Sequence, residues 1–191
     1  MPVHSILIMD SQEIVRLGLE VLVMGCPGLR LVGSAASLAE GLRLIEEHRP
    51  DLVITEMALR DSVGLDTVRS VLRAQGDRCT IVVSAQDEML YGEQVLSMGT
   101  HGYVMKEHAH ANLVQAAMAV LGGQRWISPA LNAMLLNRVL ERRHTVGGDC
   151  RLTARELQVL DHLRTGKSTK EIAVALNLSV RTVDLYRANI K

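Results

Sequence analysis

Phenylalanine is missing from this 191-residue chain, and one tryptophan and three tyrosines are its only aromatic residues. Nine methionines are scattered along it instead, and in a chain without phenylalanine such unbranched, adaptable side chains are expected to fill the core. Cysteine is scarce too. Cys26, Cys79 and Cys150 are odd in number, far apart and without metal-ligand spacing, which argues for a reduced cytosol over secretion. No charged n-region precedes an apolar core at the start, and no apolar run reaches about 18 residues, so neither a signal peptide nor a membrane span is expected. A glycine-rich G-x-x-x-x-G-K-[ST] phosphate loop is also lacking, which weighs against a phosphoryl-transfer or hydrolase enzyme. The expectation is a soluble, cytoplasmic protein that is not an enzyme.

Net charge is zero as well, but unevenly placed. Residues 1–125 carry 10 Lys/Arg against 15 Asp/Glu, net −5; residues 126–150 carry 3 against 2, net +1; residues 151–191 carry 8 against 4, net +4. Only the tail favours a polyanion. The length allows one sizeable core and a second small one, since domains commonly run about 100–150 residues.

What is present is organised around one stretch, Asp51-Leu-Val-Ile-Thr-Glu56, a short β-branched apolar run that stops on a carboxylate. Between Pro50 and the loop 57–64, it suits a buried parallel strand. Further strands are predicted over 3–9, 29–35, 80–84 and 103–106. Helices are predicted between them. The first, over about 12–24, is expected to turn Ile14, Leu17, Val21 and Leu22 to the core. The second starts at Ser37, with Glu40 at capping-box spacing. The third carries Leu65, Val68, Val71 and Leu72, and the fourth Met89, Val95, Leu96 and Met98 in spite of Gly92. The fifth carries Leu113, Ala116, Ala117, Val120 and Leu121. Strands alternating with helices at this spacing imply βαβ units and a parallel sheet wrapped on both faces. Right-handed crossovers then gather the strand ends on one rim, where an open parallel sheet places its reacting groups. That rim carries Asp10, Ser11, Glu56, Ser84 and Lys106.

Through Ile6-Leu-Ile-Met-Asp10, Pro50-Asp-Leu-Val-Ile-Thr-Glu56, Gly64-Leu65, Ile81-Val-Val-Ser-Ala85 and Gly99-Thr-His-Gly-Tyr-Val-Met-Lys106, residues of about 3–124 resemble the receiver domain of bacterial two-component response regulators. The resemblance implies the flavodoxin-like (βα)5 fold. It also implies two adjacent acidic residues that hold magnesium, an aspartate that accepts a phosphoryl group, a Ser/Thr that follows the phosphoryl, and a lysine that pairs with it. Phosphoryl transfer of this kind rests on positioning and on neutralising developing negative charge. Asp10, Ser84 and Lys106 match; Ser11 removes one acidic ligand, and Glu56 stands at the phosphoacceptor position. Magnesium wants hard oxygen donors in tight octahedral geometry, so the site is expected to be impaired and no cofactor is expected. Glu56, one methylene longer than aspartate, reaches further toward Ser84 and Lys106. A standing Lys106–Glu56 ion pair and a domain that does not switch by phosphorylation are expected. The competing reading is a decayed site on a sheet that serves as a dimerisation scaffold. Tyr103 matches an aromatic position that repacks on activation in receivers, and equally suits an edge-strand core residue. His108 and His110 form an H-x-H pair without further clustered ligands, read as the polar start of the fifth helix and not as a metal site.

Gln124-Arg-Trp-Ile-Ser-Pro129 opens a connector over 125–151. Ser128 is placed to cap a helix with Pro129 at its first position, and Leu131, Met134, Leu135 and Val139 form its apolar stripe. Residues 144–149, with Gly147-Gly148, read as a hinge. The stripe can bury against either domain or against a second subunit; the sequence does not choose.

In the tail, Thr153-Ala-Arg-Glu156 and Ser168-Thr-Lys-Glu171 are capping boxes, and Ser179 caps a third helix. Two short helices joined by a tight turn form the arrangement in which the second enters a DNA major groove. Leu152-Thr-x-Arg-Glu156, Gly166-Lys-Ser-Thr-Lys-Glu-Ile-Ala173, Leu178-Ser-Val-Arg-Thr-Val183 and Tyr186-Arg-Ala-Asn-Ile190 resemble the LuxR-type helix-turn-helix of NarL/FixJ response regulators, over 152–191. Val183 and Ile190 are expected to face the core of this small all-α domain. By resemblance, Asp184, Leu185 and Ala188 lie at base-reading positions, and Lys167, Lys170, Arg181, Arg187 and Lys191 are candidates for phosphate contact. None of the three base-reading side chains is a bidentate donor, so affinity is expected to rest on phosphate neutralisation and to fall with salt. The bland alternative is a basic solvated helix that binds nothing. The family continues past this helix into one that closes the domain, so a module ending at Lys191 is expected to be C-terminally incomplete.

The expectation is a transcription regulator that binds double-stranded promoter DNA as a homodimer. Another regulator or a sensor kinase stands as a further candidate partner. The alternative is a protein-interaction regulator that sequesters a kinase or another regulator without binding DNA.

Overall fold

The computed structural model describes residues 3–142, 154–176 and 178–190, and the side chains within them except those of 138–142, 154, 155, 181 and 189. The proposed hinge 144–149, Thr153 and Lys191 lie outside the described residues. The chain divides into two compact units, Met1–Leu140 and Glu141–Lys191. Of the connector expected over 125–151, the residues up to Leu140 fall in the first unit.

The first unit runs β1 (His4–Met9), α1 (Glu13–Met24), β2 (Leu29–Ala35), α2 (Leu38–His48), β3 (Leu52–Thr55), β4 (Ala58–Leu59), β5 (Ser62–Val63), α3 (Leu65–Gln75), β6 (Cys79–Ser84), α4 (Glu88–Ser97), β7 (Gly102–Met105), a 3₁₀ turn (Lys106–His108), α5 (Ala109–Leu121) and α6 (Pro129–Arg142). Five strands form one sheet in the order β2-β1-β3-β6-β7, and every pairing in it is parallel. This is the flavodoxin-like receiver architecture, as expected. The central strands read as unbroken apolar runs because both of their faces are covered. Leu19 and Val23 of α1 pack with Leu113, Ala116, Ala117 and Val120 of α5 over one face. Leu44 and Ile45 of α2 pack with Val71 of α3 over the other. Asp51 ties the start of β3 to β1, its Oδ2 accepting from both the amide and the hydroxyl of Ser5 at 2.7 Å. The loop after β3 holds a two-residue antiparallel ribbon, β4–β5, too short to carry a periodic signal.

Two packing expectations fail: Met24, Met89 and Met118, read as core filling, are 62%, 40% and 42% exposed, and the covered face of α1 is not the expected one. Ile14 and Val21 are 81% and 65% exposed, and Leu17 is half-exposed; the core side of α1 is Leu19 and Val23, with Val15 and Leu22 against them. Helix α1 is apolar nearly all round, so two stripes at helical spacing compete and local periodicity does not rank them. Packing against α5 and the sheet does. Gly92, which weakens the prediction of α4, lies in the middle of that helix and is buried. Mid-helix glycine costs about 1 kcal/mol relative to alanine. Its use here is space, because a Cβ added to it would come within 2.6 Å of Leu131 Cδ2.

The second unit holds α7 (Ala154–Arg164), α8 (Thr169–Ala175) and α9 (Val180–Ile190). Its core is Val159, Ile172, Ala173 and Val183, with Leu163, Leu176, Leu178, Tyr186 and Ile190 packed around them. Val183 and Ile190 thus face inward as their spacing predicts.

Candidate functional site

The rim is made by strand ends. Asp10 follows β1, Glu56 follows β3, Ser84 closes β6 and Lys106 follows β7. Parallel register brings them together: Met9 lies beside Thr55, Thr55 beside Val82, and Ser84 beside Met105. The Glu56 amide donates to the Met9 carbonyl at 2.8 Å, which fixes the backbone that carries the carboxylate.

Lys106 Nζ lies 2.8 Å from Glu56 Oε2 and 2.7 Å from Asp10 Oδ2, and all three side chains are largely buried. Glu56 Oε1 accepts from the Ser84 hydroxyl and from the Met57 amide, both at 2.6 Å. Each oxygen of this carboxylate is therefore engaged, one by a cation and one by two neutral donors. Burial works against the charged Lys106 amine, but hydrogen bonds and attraction from Asp10 and Glu56 prevail and hold its pKa above the usual lysine value. An unpaired charge in such a place carries a desolvation cost of several kcal/mol.

Among the rim residues drawn from the sequence, Asp10, Glu56, Ser84 and Lys106 form the cluster. The Ser11 hydroxyl instead donates to the Ala58 carbonyl at 2.8 Å and serves the β4–β5 loop. Tyr103 is fully buried and its hydroxyl donates to the Gln86 carbonyl at 2.8 Å, while the Gln86 amide donates to Ser84 Oγ at 3.2 Å. Burial pushes the Tyr103 phenol well above its ordinary value, so it stays a neutral donor. Residues unremarked in the sequence also belong here. Gln12 places Oε1 3.2 Å from Lys106 Nζ, and its amide donates to Asp10 Oδ1 at 2.8 Å. Met57 contributes only its amide and Gln86 only its backbone, which leaves no side-chain signal to find. His108 closes the 3₁₀ turn and His110 is the second residue of α5. Among the described residues no three His, Cys, Asp or Glu side chains gather as metal ligands.

In the second unit the caps at Ser168 and Ser179 do what their spacing predicts, while that at Thr153 lies outside the described residues. Ser168 Oγ accepts from the Glu171 amide while Glu171 Oε2 accepts from the Ser168 amide at 2.8 Å, a complete capping box that opens α8. Ser179 Oγ accepts from the Thr182 amide at 3.0 Å and starts α9. With Val183 inward, Asp184, Leu185 and Ala188 stand on the exposed side of α9, Leu185 at 61% exposure. Lys170 and Lys167 are exposed, and Lys167 Nζ donates to His162 Nδ1 at 3.1 Å. Burial, and then the adjacent Lys167 charge, lower the His162 pKa, which keeps that ring neutral as an acceptor. Arg187 hydrogen-bonds Thr169 Oγ1 and so bridges α9 to the start of α8. The Arg181 side chain and Lys191 fall outside the described set. No helix among the described residues is long and apolar enough to cross a membrane.

Comparison with known families agrees with both halves. The model described as "Response regulator receiver domain" matches residues 6–118, and that described as "Bacterial regulatory proteins, luxR family" matches residues 151–191. The response regulator GacA of Pseudomonas aeruginosa is 30% identical over 187 residues, 97% of this chain and 87% of that protein. The response regulator UvrY of Escherichia coli K12 is 28% identical over 183 residues, 96% of this chain and 84% of that protein. A LuxR-family two-component response regulator from Aurantimonas sp. SI85-9A1 is similar with a TM-score of 0.66 at 28% identity, covering 72% of this chain and 99% of that one. The fold is also shared with Salmonella enterica RcsB bound to promoter rprA in the presence of BeF3−, at a TM-score of 0.70 and 22% identity, over 98% and 90% of the two chains.

Proposed function

The chain belongs to the response regulators that join a receiver domain to a LuxR-family DNA-binding domain, and on that premise we propose that this transcription regulator works without phosphorylation, with Glu56 as a built-in charge. The observation that carries this reading is the occupied carboxylate. Lys106, Ser84 and the Met57 amide all attend Glu56, with no phosphoryl group required to draw them in. An aspartyl phosphate would bring about two negative charges to this place, whereas Glu56 brings one permanently.

Magnesium does not fit the donors present. The ion takes about six oxygen ligands at roughly 2.0–2.1 Å in octahedral geometry. Between the Asp10 and Glu56 carboxylates sits the Lys106 ammonium, and the Ser11 hydroxyl is committed to Ala58. The reading therefore assigns no metal step and no enzymatic turnover to this rim.

The partner is double-stranded promoter DNA, met by the exposed face of α9, with Lys170 and Lys167 beside the α8 N-terminus as phosphate contacts. Asp184 accepts from a cytosine amine and Leu185 packs on a thymine methyl, contacts of modest discrimination beside the phosphate term. The regulator acts as a homodimer on paired half-sites, the geometry usual for helix-turn-helix readers.

Genome-wide DNA capture with wild type, Glu56→Ala and Glu56→Asp tests the reading. Loss of enrichment in the alanine form supports a permanent charge as the signal; equal enrichment in all three rejects it. No enrichment in any form supports the alternative in which the protein sequesters another regulator or a kinase. Intact-mass analysis after incubation with acetyl phosphate and magnesium gives a second check. A labile adduct of one phosphoryl group that disappears in Glu56→Ala overturns phosphorylation independence.

A further inference from the structure

The start of α6 is bound to the receiver at three points. Trp126 extends the sheet edge: its amide donates to the His101 carbonyl at 2.9 Å, and Gly102, its bridge partner, admits it so closely that a Cβ there would lie 3.0 Å from Trp126 Cβ. Ser128 caps α6, accepting from the Leu131 amide at 3.0 Å, and its hydroxyl donates to Glu88 Oε1 on the first turn of α4 at 2.7 Å. Leu131 is fully buried in the notch left by Gly92.

These contacts meet α4 just beyond the rim. Glu56 accepts from Ser84, Ser84 accepts from the Gln86 amide, and Tyr103 donates to the Gln86 carbonyl; α4 begins two residues later at Glu88. From the Glu56 carboxylate to Leu131 the path is an unbroken series of hydrogen bonds, two peptide units and one packed side chain. A glycine in the middle of a helix is costly unless something needs the space, and Leu131 occupies that space.

We propose that the Glu88–Ser128 bond and the Gly92–Leu131 notch form a latch through which the state of Glu56 sets whether the connector helix stays docked on α4. The proposal rests on the reading of Glu56 as a standing signal and gives that signal its route out of the receiver. With Glu56 engaged, Ser84 and Gln86 hold the α4 N-terminus in place, Glu88 meets Ser128, and α6 starts from a fixed position. Loss of the carboxylate frees Ser84, loosens the turn at Gln86 and releases α6.

Amide hydrogen exchange on the full chain tests this. Glu56→Ala is expected to speed exchange in 88–97 and 129–137 together, by at least tenfold, while β1 keeps its wild-type protection. Gly92→Ala, which leaves every rim group in place, is expected to speed 129–137 by a similar factor. With Leu131→Ala the connector is already released, so adding Glu56→Ala is expected to change its exchange by less than twofold. Should Leu131→Ala lose the fold of the receiver, Ser128→Ala carries the same cycle. The latch is overturned if Glu56→Ala leaves 129–137 at the wild-type rate, or if the effects of the two substitutions multiply independently. Loss of DNA enrichment in Glu56→Ala with unchanged connector exchange overturns the latch and leaves the proposed function standing. Faster connector exchange with unchanged enrichment does the reverse.

Discussion

Lys106 is the only lysine before position 167, and it is turned inward between Asp10 and Glu56, whereas Lys170, Asp184 and Leu185 of the tail stand in solvent. The two units use the same residue types to opposite ends. At the receiver rim, charge is buried and each partner depends on the other, so removal of one leaves a desolvated ion. At Lys170 and on the outer face of α9, exposed charge contributes little to folding and remains available to a polyanion. The difference separates what holds a state from what reads a surface.

Cutting the buried set has the largest expected effect. Lys106→Met leaves two adjacent buried carboxylates and is expected to cost about 3–5 kcal/mol of receiver stability, read as a shift of the receiver's urea transition. Combining it with Glu56→Gln should recover a large part of the loss; no recovery would mean that the two charges do not depend on each other. The pH dependence sharpens the same point. The folded Lys106 pKa lies above the ordinary value of 10.5, so its stabilising contribution is complete below that value and is lost as pH rises through the raised pKa. Urea midpoints across the alkaline range should therefore fall more steeply in wild type than in Lys106→Met.

In the second unit, Ile172→Ala removes a fully buried side chain from the small core and is expected to cost about 3 kcal/mol, in a transition that leaves the receiver signals unmoved. A shift of both transitions would mean that the two units unfold together. Ser168→Ala breaks the capping box of α8 and is expected to cost about 1 kcal/mol, seen as a lower melting temperature of the tail. Lys170→Ala should have the smallest effect on folding. Its signature is a DNA-binding salt slope reduced by about 1, equal across sequences; a change confined to one sequence would make Lys170 a base reader instead.

Much of this was legible from residues alone. The runs at 6–9, 52–55 and 80–83 are apolar or β-branched, and Ser37, Ser168 and Ser179 mark helix starts, because caps and strand burial are local properties written at fixed spacing. The family motifs then placed Asp10, Glu56, Ser84 and Lys106 on one rim, and the structure brings these four together. Ser11 belongs to the same motif, yet its hydroxyl turns to Ala58. Gln12 and Gln86 carried no signal, since a glutamine that lends one amide oxygen or a backbone group looks like any polar residue beside a strand end. The covered face of α1 is not legible because that helix offers two apolar stripes.

Which elements form, their order, the carboxylate at the end of β3 and the basic helix-turn-helix tail can be read from the residues, because these depend on neighbours within a few positions. Packing between distant elements settles what that reading leaves open: that Asp10 shares the Lys106 amine with Glu56, which side of α1 is covered, and that the connector docks on α4 through Leu131 and Gly92. Those outcomes depend on the distances at which separately formed elements pack, and a one-residue rotation of a helix, invisible to its periodicity, reverses them.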